Sequence, residues 1–180
     1  MIKFLKPPQE KLNSLLECYQ TGRYVDAEKL SVSITEEFPK HPFAWKVLAG
    51  VLKQMGKINE SLVVGQKSVQ LDPQDAGAHN NLGVLLQHAQ GRLKEAEESF
   101  RQAITLKPDL ADAHYNLGNT LKKQGRLEEA EASYTQAITL KPDYAEAHYN
   151  LGNTLKELGR LEEAETNYRK AIALKPDFAE

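Results

Sequence analysis

The chain has 180 residues, of which 41% are apolar and 27% charged, and its 23 Lys and Arg against 25 Asp and Glu give a formal charge of −2. Acids and bases are interspersed, and the basic stripe that a nucleic-acid binder requires is missing. No apolar run approaches the ~18 residues of a membrane span, and the mean hydropathy is −0.55. A soluble, cytoplasmic protein with neither nucleic acid nor membrane as partner is therefore expected. Cys18 is the only cysteine, so an intrachain disulfide and a multi-cysteine metal site are excluded. Among Leu15, Leu16 and Tyr19 it reads as a small packed side chain.

In chain order, residues 1–7 form a lead-in too short for a secretory leader, its apolar stretch broken at Lys3 and Lys6. A 34-residue pattern follows. Residues 111–144 and 145–178 are identical at twenty-five of 34 positions, and self-similarity at such a period marks a repeat architecture. The frame runs backward through 76–110 (Leu82, Gly83, Gly91, Ala96, Phe100, Ala103, Pro108), 42–75 (Trp45, Leu48, Ala49, Gly56, Ser61, Ser68, Pro73) and, most worn, 8–41 (Gly22, Ala27, Pro39). The third repeat holds one extra residue within Gln87–Gln90. It is expected to appear as a π-bulge or a looser turn, with a small local change of angle between neighbouring repeats.

Each repeat reads as a helical hairpin. In the fifth, Leu151, Leu155 and Leu158 form one helical stripe, and Leu161, Ala164, Tyr168, Ala171 and Ile172 a second. Gly159 between them is a helix stop. Glu162 and Glu163 restart with acids in a first turn, and Lys175 before Pro176 closes the second helix. Gly152 and Ala164 are expected where the two helices approach most closely, and Ala171 where the next repeat docks. A lone hairpin cannot bury its apolar face, so stacking must supply the other side.

The spacing His114-x-x-Leu117-Gly118-x-x-Leu121, then Ala130, Tyr134, Ala137 and Pro142, resembles the tetratricopeptide repeat (TPR) family, as does Trp45-x-x-Leu48-Ala49-x-x-Leu52 with Ser61 and Pro73. The resemblance covers residues 8–178. It implies an all-α fold, a right-handed α-solenoid of antiparallel helix-turn-helix units, with first helices lining a concave groove. Departures are local: leucine replaces an expected aromatic at Leu52, Leu121 and Leu155, and Gly65 replaces the second-helix aromatic of the second repeat.

That resemblance directs attention to polar residues on the first helices. Asn13, Asn81, Asn116 and Asn150 recur at one position, interrupted by Val47, and Asn119 and Asn153 lie a helical turn further on the same face. A row of amides offers donors and acceptors to the backbone of an extended peptide. Similar asparagine ladders occur in the repeats of O-linked N-acetylglucosamine transferases; the bland alternative is a merely solvated face. Tyr115 and Tyr149 stand beside the ladder, to pack on a ligand or edge the groove. Lys122 and Lys156, like Lys53 and Lys123, lie near first-helix ends, where they complement the helix dipole or attract an acidic ligand. The two-carboxylate clamp of chaperone-binding TPR modules is incomplete, because no ladder position is Lys or Arg.

His79, His114 and His148 lie a full repeat apart and share a slot with Trp45, so hairpin packing is expected of them and no metal site. Glu128–Glu129 and Glu162–Glu163 are neighbours on a helix and do not face each other. No nucleophile triad, phosphate loop or dinucleotide fingerprint is present, so neither catalysis nor a cofactor is expected in this segment.

A scaffold that holds a peptide or partner helix is the leading expectation. Two others stand beside it. Ala179–Glu180 resembles the opening of a sixth repeat, and residues 7–30 resemble the start of bacterial proteins whose repeats precede a sulfotransferase or glycosyltransferase domain. This suggests a substrate-targeting arm of a larger transferase. An uncovered apolar C-terminal end also suggests self-association into a homo-oligomer.

Overall fold

A computed structural model of the chain describes residues 6–179, with ten α-helices among them. They are α1 (Gln9–Gln20), α2 (Tyr24–Glu37), α3 (Pro42–Gln54), α4 (Ile58–Leu71), α5 (Ala76–His88), α6 (Leu93–Leu106), α7 (Ala111–Lys123), α8 (Leu127–Leu140), α9 (Ala145–Glu157) and α10 (Leu161–Leu174). The chain is thus an all-α repeat protein, with no strand among the described residues. A 3₁₀ turn, Pro176–Ala179, follows α10. The opening of a sixth repeat falls at that turn and at Glu180, which with residues 1–5 of the lead-in lies outside the described residues. Two compact halves divide the chain, residues 1–90 with α1–α5 and residues 91–180 with α6–α10.

Three-residue turns join α1 to α2, α3 to α4, α7 to α8 and α9 to α10. Their glycines, Gly22, Gly56, Gly125 and Gly159, have φ between 73 and 79°, a region that only glycine enters cheaply. The following N–H then reaches back to the helix it left, as in Arg126 N to Leu121 O at 3.0 Å and Arg160 N to Leu155 O at 2.9 Å, closing a Schellman motif.

The third repeat settles its extra residue in the turn. α5 has the same 13 residues as α3, α7 and α9. Ala89 becomes extended (ψ 129°) where Met55, Gln124 and Leu158 stay near ψ 0°. The outcome is the looser turn and not a π-bulge.

Small residues bring the helices together. Ala27 and Ser61 in the N-terminal half, and Ala96, Ala130 and Ala164 in the C-terminal half, are buried at one repeat position. Ser61 is the polar exception, and its hydroxyl donates to the Ala49 carbonyl at 2.6 Å, so burial leaves no group unpaired. Cys18 is buried in the core with Leu15, Ala27 and Ile34, as expected.

The first helices show which face meets the preceding repeat. The third, seventh and tenth residues are Ala44, Leu48 and Val51 in α3, Ala113, Leu117 and Thr120 in α7, and Ala147, Leu151 and Thr154 in α9, all buried. In α1 the same places hold Glu10, Ser14 and Glu17, all exposed. α1 therefore turns a polar face outward where the others bury an apolar one.

Asp75 caps α5. Its Oδ1 accepts from Ala78 N at 3.0 Å and its Oδ2 from Lys46 Nζ at 2.6 Å. Burial pushes the carboxyl up, but Lys46 and the Ala78 and Gly77 amides outweigh it, leaving the pKa below the ordinary 3.8. A depressed folded pKa stabilises the fold above the unfolded value, and that stability is lost as pH falls through the folded value. The melting temperature of the wild-type chain should therefore drop more steeply below pH 4 than that of Asp75→Asn. Parallel acid limbs in a thermal-melt series would remove Asp75 as the cause.

Candidate functional site

Within each half the backbones of successive first helices approach closely, α1 with α3, α3 with α5, and α7 with α9, whereas second helices meet through long side chains, as Arg101 of α6 meets Glu129 of α8 at 3.5 Å. The first helices thus form the inner face of each half, and the ladder residues fall into two separate groups on it.

In the N-terminal half, Asn13 is exposed on α1 and accepts from Gln9 Nε2 at 3.0 Å. Asn81 lines a cleft of about 30 Å³ with Tyr19, Ala49, Gly50, Lys53 and Leu85. Tyr19 lies directly over Gly50, where an added Cβ would stand 3.1 Å from its hydroxyl oxygen. Neither Tyr19 nor Gly50 belongs to the asparagine series; one aromatic facing one glycine across a repeat is the only mark they leave in the sequence.

In the C-terminal half the amides form a network. Asn150 Nδ2 on α9 donates to Asn119 Oδ1 on α7 at 2.9 Å and to the Tyr115 hydroxyl at 3.1 Å. Asn119 Oδ1 also accepts from the Tyr134 hydroxyl of α8 at 2.8 Å. Asn153 repeats this one repeat on, its Oδ1 accepting from Tyr168 of α10 at 2.9 Å. The second-helix tyrosines were not among the expected site residues, yet they aim the amides. Burial raises the pKa of both phenols above the ordinary value of 10, so both stay protonated donors at neutral pH. With each oxygen claimed from below, the Nδ2 groups of Asn119 and Asn153 have no partner among the described residues.

Tyr115 packs against Tyr144, ring centroids 4.8 Å apart, and against Tyr134 at 6.0 Å. Tyr149 lies 5.9 Å from Tyr168 and is more exposed. Asn116 is half-buried on α7. Lys122 pairs with Glu157 at 2.9 Å, while Lys156 stays exposed in the last turn of α9.

The slot shared by Trp45 and the histidines has one task. Trp45 Nε1 lies 2.9 Å from Pro39 O, and the Nε2 atoms of His79, His114 and His148 lie 3.0, 2.9 and 3.1 Å from Pro73 O, Pro108 O and Pro142 O. Each ring N–H ties its helix to the turn before it, which explains why indole and imidazole interchange. Glu129 and Glu163, exposed in the first turns of α8 and α10, pair with Arg126 and Arg160 of the turns before them at 2.6 Å. Among the described residues no three His, Cys, Asp or Glu converge as a metal site, and no helix is long and apolar enough to cross a membrane.

Glycine-turned hairpins, docked on one another within each half and presenting amides and phenols on first helices, define a helical-repeat scaffold of the protein-interaction type. Tetratricopeptide repeat family models match residues 64–98, 86–125, 118–159 and 145–178, well over half of the sequence. The chain belongs to the tetratricopeptide repeat family. It is 37% identical over 120 residues to the protein O-mannosyl-transferase TMTC1 of Mus musculus, a match that spans 63% of this chain and 13% of that protein. Among solved structures it is similar to TTC0263, a TPR protein of Thermus thermophilus (29% identity, TM-score 0.76, 95% of this chain and 94% of that one). It is also similar to MamA from Desulfovibrio magneticus RS-1 (20%, 0.81, 94% and 95%) and to YrrB, a TPR protein with an unusual peptide-binding site (21%, 0.73, 93% and 86%).

Proposed function

We propose that the inner face of the C-terminal half binds an extended peptide by donating hydrogen bonds from Asn119 and Asn153 to its carbonyl or carboxylate oxygens, with Tyr149 and Lys156 at the margin. The observation that carries this reading is the pinning of both Oδ1 atoms by Tyr134 and Tyr168, which leaves Nδ2 as the free end of each amide. The ladder is then a row of donors at these two positions, narrower than the donor-and-acceptor row expected from the sequence. That YrrB has a peptide-binding site supports the same use of the fold.

The test is a selection of random dodecapeptides displayed against the chain, followed by Asn119→Asp and Asn153→Asp. Aspartate keeps an oxygen for the tyrosine and exchanges the N–H donor for an acceptor. Each variant should weaken the selected peptides by about tenfold, the worth of one good hydrogen bond, with helicity unchanged. Equal binding by both variants would refute the donor reading.

The partial match to a transferase favours a second reading, in which the same face is the targeting arm of a larger enzyme. The test is transferase activity of the full reading frame: Asn153→Asp should lower activity on protein acceptors and leave activity on a small acceptor unchanged, and equal activity on both would remove this reading.

A further inference from the structure

Two polar groups on the inner face of the N-terminal half lack the partners that their counterparts hold in the C-terminal half. Asn150 donates to Asn119 and to the Tyr115 hydroxyl. Asn81 stands at the same repeat position, but the two places opposite it hold Gly50 and Lys46, and Lys46 Nζ is taken by Asp75 at 2.6 Å. Lys122 pairs with Glu157 at 2.9 Å. Lys53 is its counterpart, and the place of the acid is held by His88. A third polar group, the hydroxyl of the half-buried Tyr19, lies beside them. Among the described residues Tyr19, Lys53 and Asn81 make no side-chain hydrogen bond or ion pair.

The cleft between these groups follows from two glycines. Gly50 and Gly65 occupy the places where Asn119 and Tyr134 fill the C-terminal half. Neighbouring side chains retake that space only in part. A Cβ at Gly50 would stand 3.1 Å from the Tyr19 hydroxyl oxygen, and one at Gly65 would stand 3.0 Å from Leu85 Cδ1. What remains is about 30 Å³, walled on its apolar side by Ala49 and Leu85. That is close to the share of one water molecule in the liquid.

We propose that this cleft binds one carboxylate group of a peptide, whose oxygens accept from Lys53 Nζ, the Tyr19 hydroxyl and Asn81 Nδ2. All three groups can donate, and no acidic side chain lines the cleft among the described residues. A hydrogen bond between an ammonium and a carboxylate is of the stronger, charge-assisted kind. Ala49 and Leu85 keep water from one side, which strengthens the attraction further. The space admits one oxygen of a flat carboxylate, whereas a tetrahedral phosphate is too bulky to enter. Lys53 is not a ladder residue: it lies six positions beyond Val47, which interrupts the asparagine series. The site is independent of the amide donors proposed for Asn119 and Asn153.

The probes are two blocked tripeptides, N-acetyl-Gly-Glu-Gly-amide and N-acetyl-Gly-Gly-Gly with a free C-terminal carboxylate. Each is titrated into the isotope-labelled full chain at constant ionic strength, beside its uncharged control, the Gln peptide or the C-terminal amide. Nuclear magnetic resonance should show saturable shifts of the Asn81 side-chain amide and the Gly50 backbone N–H with a carboxylate peptide and none with the controls. The peptide that saturates at the lower concentration identifies the source of the carboxylate, an acidic side chain or a chain terminus. Lys53→Met keeps the aliphatic stem and should weaken binding about tenfold or more, the loss of a charge-assisted hydrogen bond. Tyr19→Phe and Asn81→Leu should each weaken it about three- to tenfold, with circular dichroism unchanged. No saturation by either carboxylate peptide, equal shifts with the uncharged controls, or affinity indifferent to both Lys53→Met and Tyr19→Phe would overturn the proposal.

Discussion

Replacing Tyr134 by Ala should destabilise the C-terminal half by about 3–5 kcal/mol, the usual cost of removing a buried aromatic ring. Tyr134 has no exposed surface and is the largest fully buried side chain among the described residues. Its ring lies against Gly118 and 6.0 Å from Tyr115, and its hydroxyl holds Asn119. Truncation opens a cavity, removes the donor that orients the amide and loosens α7 from α8. Tyr134→Phe keeps the ring and should cost only about 1 kcal/mol, that of a single hydrogen bond. The equivalent Tyr168→Ala should cost less than Tyr134→Ala, because Tyr168 is only half-buried. Urea denaturation followed by circular dichroism, with amide exchange on α7 and α8, gives both values. A loss below about 1 kcal/mol for Tyr134→Ala would show that neighbouring repeats collapse into the gap.

The pairing of asparagine with tyrosine was legible in the sequence, though only once the two are read together. Asn119 and Asn153 stand 15 residues before Tyr134 and Tyr168, and in the other repeats the corresponding pairs are Leu16 with Ser31, Gly50 with Gly65 and Val84 with Phe100. Asparagine occurs only where the second-helix residue carries a phenol. Repeat length, hairpins, glycine turns and the small-residue contacts follow from period and residue size alone. Which end of an amide faces outward does not, because it depends on a donor from another helix. Nor did periodicity reveal that Trp45 and the histidines reach a prolyl carbonyl, since that contact spans a turn between repeats. Lys122 shows the same limit: its place in a last turn was plain, but its partner Glu157 lies on the next first helix, in a place held by Lys123 in its own repeat.

Gly118→Ala should destabilise the chain by about 1–3 kcal/mol although alanine is the better helix former. Glycine inside a helix costs about 1 kcal/mol relative to alanine, so a helix that keeps it at this place gains elsewhere. A Cβ at Gly118 would stand 2.7 Å from Cδ1 and Cε1 of Tyr134 and 3.0 Å from Cζ, well inside contact distance. The ring has nowhere to go: it is fully buried, its hydroxyl is bound, and Tyr115 stands on the other side. The strain of overpacking, about 1–3 kcal/mol or occasionally more, should exceed the propensity gain. Gly152→Ala meets Tyr168 at the same 2.7 Å and the Ala164 carbonyl at 3.2 Å. The half-buried Tyr168 can swing outward, so the loss should be smaller. Combining Gly118→Ala with Tyr134→Leu separates the causes. If the ring sets the cost, adding alanine to a Tyr134→Leu background should be neutral or stabilising. If alanine costs the same in both backgrounds, the limit lies in the approach of the α7 and α8 backbones themselves.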